Sequence, residues 1–162
     1  LSRKGDPVAF EKEKLILQRI GSELVAAYDK NKLFCFNSVN MIVQKNKKLS
    51  LKYLLCLLNS KLINYYYINI FSMRSSLTVN VTQGYLSNVP VKDISETDQQ
   101  PFIKLVDEIL SVTKDKDYIE NEQKQKKVKE LQDKIDQLVY KLYELTPEEI
   151  KIVEDFCEKN ER

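Results

Sequence analysis

The sequence has 162 residues, with no His, no Trp and three Gly. Without His, a Ser-His-Asp or Cys-His catalytic arrangement and an imidazole metal site are both excluded. The glycines Gly5, Gly21 and Gly84 are too far apart for a phosphate-binding loop of the G-x-G-x-x-G or Walker type. This composition argues against an enzyme that holds a nucleotide cofactor within these residues.

The net charge of +2 is the balance of two unequal parts. Residues 1–101 hold 14 Lys or Arg against 8 Asp or Glu, a net +6, whereas residues 102–162 hold 12 against 16, a net −4. A basic first part suggests contact with a polyanion. An ordinary solvated surface accounts for the same charge, so charge alone leaves both interpretations open.

Cysteine usage and hydropathy bear on the compartment. Cys35, Cys56 and Cys157 form no C-x-x-C pair and lie among apolar residues, which favours buried, reduced thiols in a cytoplasmic protein. No signal peptide opens the chain, and its most apolar stretch, 49–71, is too polar to span a membrane. Because the first residue is Leu1 rather than Met, we expect part of a larger protein.

Short apolar runs separated by polar turns predict β-strands in the first hundred residues. The runs cover 15–20, 24–28, 33–36, 39–44, 77–82 and 86–91. Their spacing is typical of a small antiparallel or mixed sheet. Apolar residues at three- and four-residue spacing from Leu51 to Tyr66 predict one helix, capped by Ser50 and central to the core.

The last third of the chain has a helical pattern. A helix is expected over 98–113, capped by Thr97 or Asp98, and a second helix over 118–145. The second helix has an apolar a/d seam: Val128, Leu131, Ile135, Leu138, Leu142 and Leu145. This seam suits either a helical hairpin or a coiled-coil dimer. The Thr-Pro-Glu-Glu run at 146–149 is a capping box that begins a final helix.

Together these elements predict an α+β fold. It consists of a small mixed sheet with a central helix, followed by an α-helical hairpin and a short terminal helix. The expected organisation is a linker remnant over 1–14, an α/β domain over 15–97, and a helical hairpin or spacer with the terminal helix over 98–162.

Four segments carry a pattern beyond the fold class. They are Leu58-Asn59-Ser60-Lys61 at a helix end, Gly84-Tyr85-Leu86-Ser87-Asn88-Val89-Pro90-Val91, Gln99-Gln100-Pro101-Phe102-Ile103, and the tail 135–150. Their order resembles the TaqI-like C-terminal specificity domain of adenine-specific DNA methyltransferases and type IIG restriction–modification enzymes. It is also similar to half of a type I specificity subunit. The resemblance spans about residues 15–155.

The resemblance implies that the domain over 15–97 recognises a sequence in double-stranded DNA. An upstream methyltransferase domain of the same chain would flip out an adenine and methylate its N6. S-adenosylmethionine, and Mg²⁺ where a nuclease is fused, belong to the parent enzyme, expected in the bacterial cytoplasm. The family's Asn-Pro-Pro-Tyr motif is absent from these residues, so this part is expected to be non-catalytic and to hold no cofactor or metal.

An alternative function comes from the helical part. Its seam suits a module for dimerisation, giving a homodimer through the helices, or for docking onto a subunit of a restriction–modification complex. This alternative is compatible with DNA recognition by the first part.

Sequence recognition requires phosphate contacts for grip and side chains that read base edges. The candidates are polar residues in predicted loops and on the wet face of a strand. Those expected at phosphates are Lys30, Lys32, Lys45, Lys47, Lys48, Arg74, Ser75 and Ser76. Asn80 and Gln83 suit an adenine edge, and Arg74 alternatively suits a guanine edge. Tyr85 is expected against a sugar or a base.

Overall fold

An antiparallel sheet of three strands organises the first half of the molecule. The computed structural model describes residues 10–35, 38–45, 48–71 and 79–160. The sheet contains β1 (Lys14–Gln18), β3 (Ala26–Asp29) and β4 (Val39–Val43), in the order β3-β1-β4. A second antiparallel pair joins β2 (Ile20–Gly21) to β5 (Val79–Asn80). Of the two kinds of sheet that the strand spacing left open, the described pairings form the antiparallel one.

Ser60 divides the expected central helix into α1 (Leu51–Asn59) and α2 (Lys61–Phe71). Its hydroxyl donates to the Leu57 carbonyl at 2.7 Å and accepts the Ile63 N–H at 3.3 Å. The same side chain therefore ends one helix and caps the next, which the apolar periodicity did not reveal.

The central position of α1 is confirmed, and so is its predicted cap, because the Ser50 hydroxyl accepts the Lys52 N–H. Most of its residues are buried: Leu51, Tyr53, Leu55, Cys56, Leu57 and Leu58. They pack against β1 and β3. At the last residue, the Asn59 amide accepts the Ala26 N–H at 2.8 Å and donates to the Ala26 carbonyl at 2.9 Å. This double hydrogen bond fastens α1 to the edge of the sheet.

Two of the predicted strands are wrong, and local hydrogen bonds explain both. In the run 33–36, the described residues 33–35 form no strand, because the Asp29 carboxylate accepts the Asn31 and Leu33 N–H groups and holds a turn. In the run 86–91, the chain leaves a short helix, α3 (Gln83–Leu86), and forms no strand. Thr82 starts α3 by accepting the Tyr85 N–H at 3.2 Å.

The predicted helical hairpin consists of α4 (Glu96–Thr113) and α5 (Glu122–Leu142), which pack against each other. α4 begins two residues earlier than expected. Its cap is Ser95 rather than Thr97 or Asp98, because the Ser95 hydroxyl accepts the Asp98 N–H at 3.2 Å.

The apolar seam of α5 faces the inside of this chain. Val128, Leu131 and Ile135 are buried, while Leu138 and Leu142 are half-buried against the core. Of the two uses that the seam allowed, the structure therefore has the hairpin. A 3₁₀ turn at Tyr118–Glu120 lies between the two helices.

The final helix, α6 (Pro147–Asn160), begins at the predicted capping box. The Thr146 N–H donates to the Glu149 carboxylate at 2.8 Å, and the Glu149 N–H donates to the Thr146 hydroxyl at 3.3 Å. This box is therefore confirmed in both of its hydrogen bonds. The α+β class is confirmed as well, while the domain boundary at 97 stays a prediction.

Lys61, in the Leu-Asn-Ser-Lys segment, joins the first part of the chain to the helical part. Its backbone N–H donates to the Asp136 carboxylate of α5 at 2.9 Å, and its ammonium donates to Glu154 of α6 at 2.6 Å. The Tyr140 hydroxyl donates to the same Glu154 at 2.7 Å. This segment is thus a structural junction between the first part of the chain and the helical part.

Candidate nucleic-acid interface

The sheet register brings predicted phosphate-contact lysines to one end of the sheet. Lys14, at the start of β1, pairs with Asp29 at the end of β3 and with Val43 at the end of β4. The start of β1 and the ends of β3 and β4 therefore lie side by side at this end of the sheet. The candidate lysines that follow these strands or precede α1, here called the lysine end, are Lys30, Lys32, Lys45 and Lys48.

A buried ion pair shapes the turn that carries Lys30 and Lys32. The Lys14 ammonium pairs with the Asp29 carboxylate, and the two side chains are 0% and 3% exposed. The carboxylate also accepts two backbone N–H groups of the turn, at 2.8 and 3.0 Å. Lys32 has a φ of 57°, in the left-handed region that a tight turn uses. The two turn lysines therefore extend from a fixed base.

The lysine end carries positive charge that the described acidic residues leave largely uncompensated. Lys30, Lys32 and Lys45 are exposed, and no described carboxylate lies within ion-pair distance of them. Lys48 pairs with Asp93, but both side chains are largely exposed, so this pair is weak. Lys47 lies outside the described residues.

The candidate base-reading residues lie at the opposite end of the sheet. The Val81 N–H donates to the Arg19 carbonyl at 2.7 Å, just beyond β1. The Asn40 amide, near the start of β4, donates to the Val81 carbonyl at 2.6 Å. These bonds hold the segment after β5 beside the sheet. The candidates on and after β5, here called the amide end, are Asn80, Gln83 and Tyr85.

At the amide end, α3 presents exposed side chains from Gln83 and Tyr85. The Tyr85 ring stacks on the Phe71 ring, with 4.8 Å between the centroids and 16° between the planes. Tyr85 still has 39% of its surface exposed. The stack fixes the ring and leaves part of it open to a sugar or a base.

Arg74, Ser75 and Ser76 lie outside the described residues. The nearest described residues on either side of this segment, Phe71 and Val79, lie beside the amide end. Phe71 stacks on Tyr85, and Val79 pairs with Gly21 in the two-stranded pair.

The lysine end and the amide end are separated by the length of β1. Five residues at about 3.4 Å each give a separation of about 17 Å. The structure therefore does not bring the two sets of candidates into one pocket. This separation is larger than the width of the major groove, which is about 12 Å, so the two ends would contact different parts of one duplex.

Two basic residues near the candidates were missed by sequence reasoning. Arg19 is exposed beside the amide end, and the signal for it was a charged residue interrupting the apolar run 15–20. Lys114, just after α4, lies close enough to the lysine end for the Lys30 ammonium to lower the pKa of Lys114. No local pattern links Lys114 to Lys30, because 83 residues separate them along the chain.

The described residues contain neither a membrane-spanning helix nor a metal-binding cluster. None of the described helices combines the length and the apolar character that a membrane span requires. Within the same residues, no group of three or more Cys, Asp or Glu side chains is arranged to hold a metal ion.

Comparison with known proteins confirms the resemblance to the family, over residues 2–91 rather than the expected 15–155. No curated protein matches the chain. The family model for the TaqI-like C-terminal specificity domain matches residues 2–91, which include the Leu-Asn-Ser-Lys segment, the sheet and α3. The chain therefore belongs to the TaqI-like C-terminal specificity domains, whose role is non-catalytic recognition of DNA sequence for restriction–modification methyltransferases.

Proposed function

We propose that this chain is the target-recognition part of an adenine-specific DNA methyltransferase. One observation carries the proposal beyond family membership: a largely uncompensated lysine end and an amide end with exposed Gln83 and Tyr85 lie at opposite ends of the three-stranded sheet, about 17 Å apart. In the proposal, the lysines contact phosphates and fix the register of the duplex. The side chains at the amide end then contact base edges.

The catalytic domain is proposed to precede this chain in the same polypeptide. It would bind S-adenosylmethionine, the methyl donor for the adenine N6. Since methylation requires the adenine to be flipped out of the stack, the part played by this chain is to grip the duplex around the extruded base. In the type IIG arrangement the parent also carries an Mg²⁺-dependent nuclease, and we place it in the bacterial cytoplasm.

The protein that includes the residues before Leu1 tests this arrangement. We expect an Asn-Pro-Pro-Tyr motif in those residues and transfer of a labelled methyl group from S-adenosylmethionine to adenine in duplex DNA. A cytosine methyl acceptor, or a different catalytic motif, would contradict the proposal while leaving the DNA-recognition role of this chain intact.

Reversing two charges at the lysine end is expected to weaken DNA binding. In the double variant Lys32→Glu with Lys45→Glu, the slope of log K against log[salt] should become less steep by about 1.8. Each lost phosphate contact reduces its magnitude by about 0.9. Fluorescence anisotropy with a duplex at several salt concentrations measures this slope. The matched control is Lys141→Glu with Lys151→Glu, two exposed lysines of the helical part. Equal slopes in both double variants would exclude the lysine end from the DNA interface.

Replacing Gln83 by Ala is expected to change which sequence is bound. A bidentate side-chain contact to a base provides about 1–3 kcal/mol of discrimination, so preference at one base pair should fall about 5- to 150-fold. Selection from a pool of partly randomised duplexes, followed by sequencing, measures the preference at each position. Gln100→Ala, an exposed glutamine of α4, is the control. A uniform loss of affinity for all sequences would argue against base reading by Gln83.

A further inference from the structure

Two adjacent apolar side chains, here called the apolar tip, are exposed in the turn after β3. They are Leu33 and Phe34, with 54% and 78% of their surfaces exposed. Among the described large apolar residues, only Ile119 is more exposed than Phe34. A single exposed apolar side chain is common on protein surfaces and needs no explanation. The apolar tip differs because a buried ion pair holds it in place.

The buried side chain of Lys14 fastens both sides of the apolar tip. Its ammonium donates to the Phe10 carbonyl at 3.0 Å and pairs with the Asp29 carboxylate. The same carboxylate accepts the Leu33 N–H at 3.0 Å. The rings of Phe10 and Phe34 stack, with 5.1 Å between the centroids and 20° between the planes. A chain of contacts therefore runs from Phe10 through Lys14 and Asp29 to Leu33, and the ring stack closes it.

These contacts order the apolar tip before any ligand binds. Phe10 packs on the Phe34 ring and fixes its direction, while most of the ring stays exposed. Ordering a side chain in advance removes part of the entropy cost that binding otherwise carries. The tip is thus prepared for an apolar surface that the described part of the chain does not supply.

Positive charge beside the apolar tip indicates the kind of partner. Lys32 directly precedes Leu33, and Lys30 lies on the same turn. Both lysines are exposed, and no carboxylate in the described part of the chain lies within ion-pair distance of them. A suitable partner therefore offers apolar faces next to negative charge. Duplex DNA does so, because its stacked bases lie between two phosphate backbones.

We propose that the apolar tip inserts between two neighbouring base pairs of the recognised DNA and bends the duplex, while Lys30 and Lys32 contact phosphates beside the opened step. This inference rests on the proposed function, because the lysine end must face the duplex. Apolar wedges of DNA-bending proteins open a base step in this way and kink the duplex by about 20–90°. Stacking of the Phe34 ring on a base offsets part of the cost of unstacking the two base pairs.

Phe34→Ala tests the insertion, with Ile119→Ala as the control. Both changes remove one large exposed apolar side chain, and Ile119 lies in the 3₁₀ turn between α4 and α5. The full chain is mixed with a duplex that the wild type selects, labelled at both ends so that energy transfer reports bending. For Phe34→Ala we expect the bend to disappear at saturating protein. Its affinity should fall about 5-fold or more, the effect of losing one base–aromatic stack.

The other variants should keep the bend. Phe34→Tyr retains the aromatic ring, and Ile119→Ala leaves the apolar tip intact, so both should bend the duplex as the wild type does. The salt dependence separates the tip from its lysines. Because the Phe34 ring carries no charge, Phe34→Ala should leave the slope of log K against log[salt] unchanged.

Each contrary outcome has a defined meaning. A wild-type complex without a bend, or a bend that persists in Phe34→Ala, overturns the insertion. A less steep salt slope in Phe34→Ala also overturns it, because the lost affinity is then electrostatic. Unchanged duplex affinity in Phe34→Ala, with lost binding to anionic lipid vesicles, would make the tip a membrane contact instead. If the wild-type chain binds no duplex at all, the proposed function fails, which is a different result from a duplex bound without a bend.

Discussion

Lys14→Ala is expected to lower the free energy of unfolding by about 3–5 kcal/mol, because it leaves the Asp29 carboxylate buried without its cation. Both side chains of this pair are almost fully buried. Burial raises the pKa of Asp29, but hydrogen bonds from Lys14 and from two backbone N–H groups, together with the charge of Lys14, lower it further than burial raises it. The turn with Lys30 and Lys32 should lose order in the same variant.

The pH dependence of stability gives an independent check on this pair. Because the folded pKa of Asp29 lies below its unfolded value of 3.8, its stabilising contribution is present above that value. The contribution is lost as the pH falls through the folded pKa. Wild-type protein should therefore lose this stability in acid, and Lys14→Ala should show less of that loss.

Urea unfolding at pH 7 measures the predicted change. Lys12→Ala, an exposed lysine two residues earlier, is the control and should change stability by no more than about 0.5 kcal/mol. In Lys14→Met with Asp29→Asn neither charge remains, and we expect most of the stability to return. A loss below about 1 kcal/mol in Lys14→Ala would contradict the importance of the pair.

Asp136→Asn is expected to raise the free energy of unfolding at pH 7 by up to about 3 kcal/mol. Burial raises the pKa of Asp136 from 3.8 to about 6, even though the Lys61 N–H and the Lys61 charge act in the opposite direction. A raised carboxyl pKa means that the charged form is disfavoured in the folded protein. This cost is fully present above about pH 6 and disappears below 3.8. An Asn side chain can still accept the Lys61 N–H without carrying the charge.

Unfolding measurements between pH 4 and 8 test this prediction. The wild type should lose stability as the pH rises from about 4 to 6 relative to Asp136→Asn, which lacks the titrating group. Asp133→Asn, an exposed residue of the same helix, is the control and should follow the wild type. A destabilisation of Asp136→Asn at pH 7 would show that the carboxylate is needed beside Lys61.

Local signals predicted the parts of the fold that depend on nearby residues. The caps at Ser50 and Thr146 were predictable because each depends on side chains within three residues. Apolar spacing did not predict the break at Ser60, since the spacing continues through it; only the Leu-Asn-Ser-Lys pattern of the resemblance placed a helix end there. The failed strand at 33–35 depended on the Asp29 carboxylate, whose pairing with Lys14 joins two different strands.

The candidate site likewise has features that the sequence predicted and a spatial arrangement that it did not. Residue type and loop position sufficed to select Lys30, Lys32 and Gln83 as exposed polar residues. Their separation into two ends follows from the β3-β1-β4 order and from the pairing of β2 with β5, which lies about sixty residues later. Such long-range placement leaves no periodic signal in the sequence.

The double hydrogen bond between Asn59 and Ala26 has a consequence for solubility. β3 lies at the edge of its sheet, and an open edge is a template on which another chain can add a strand. At Ala26, however, both outward backbone groups are already occupied by a side-chain amide. Asn59 thus acts as a one-residue substitute for a neighbouring strand. It blocks edge-to-edge aggregation at this point of the β3 edge.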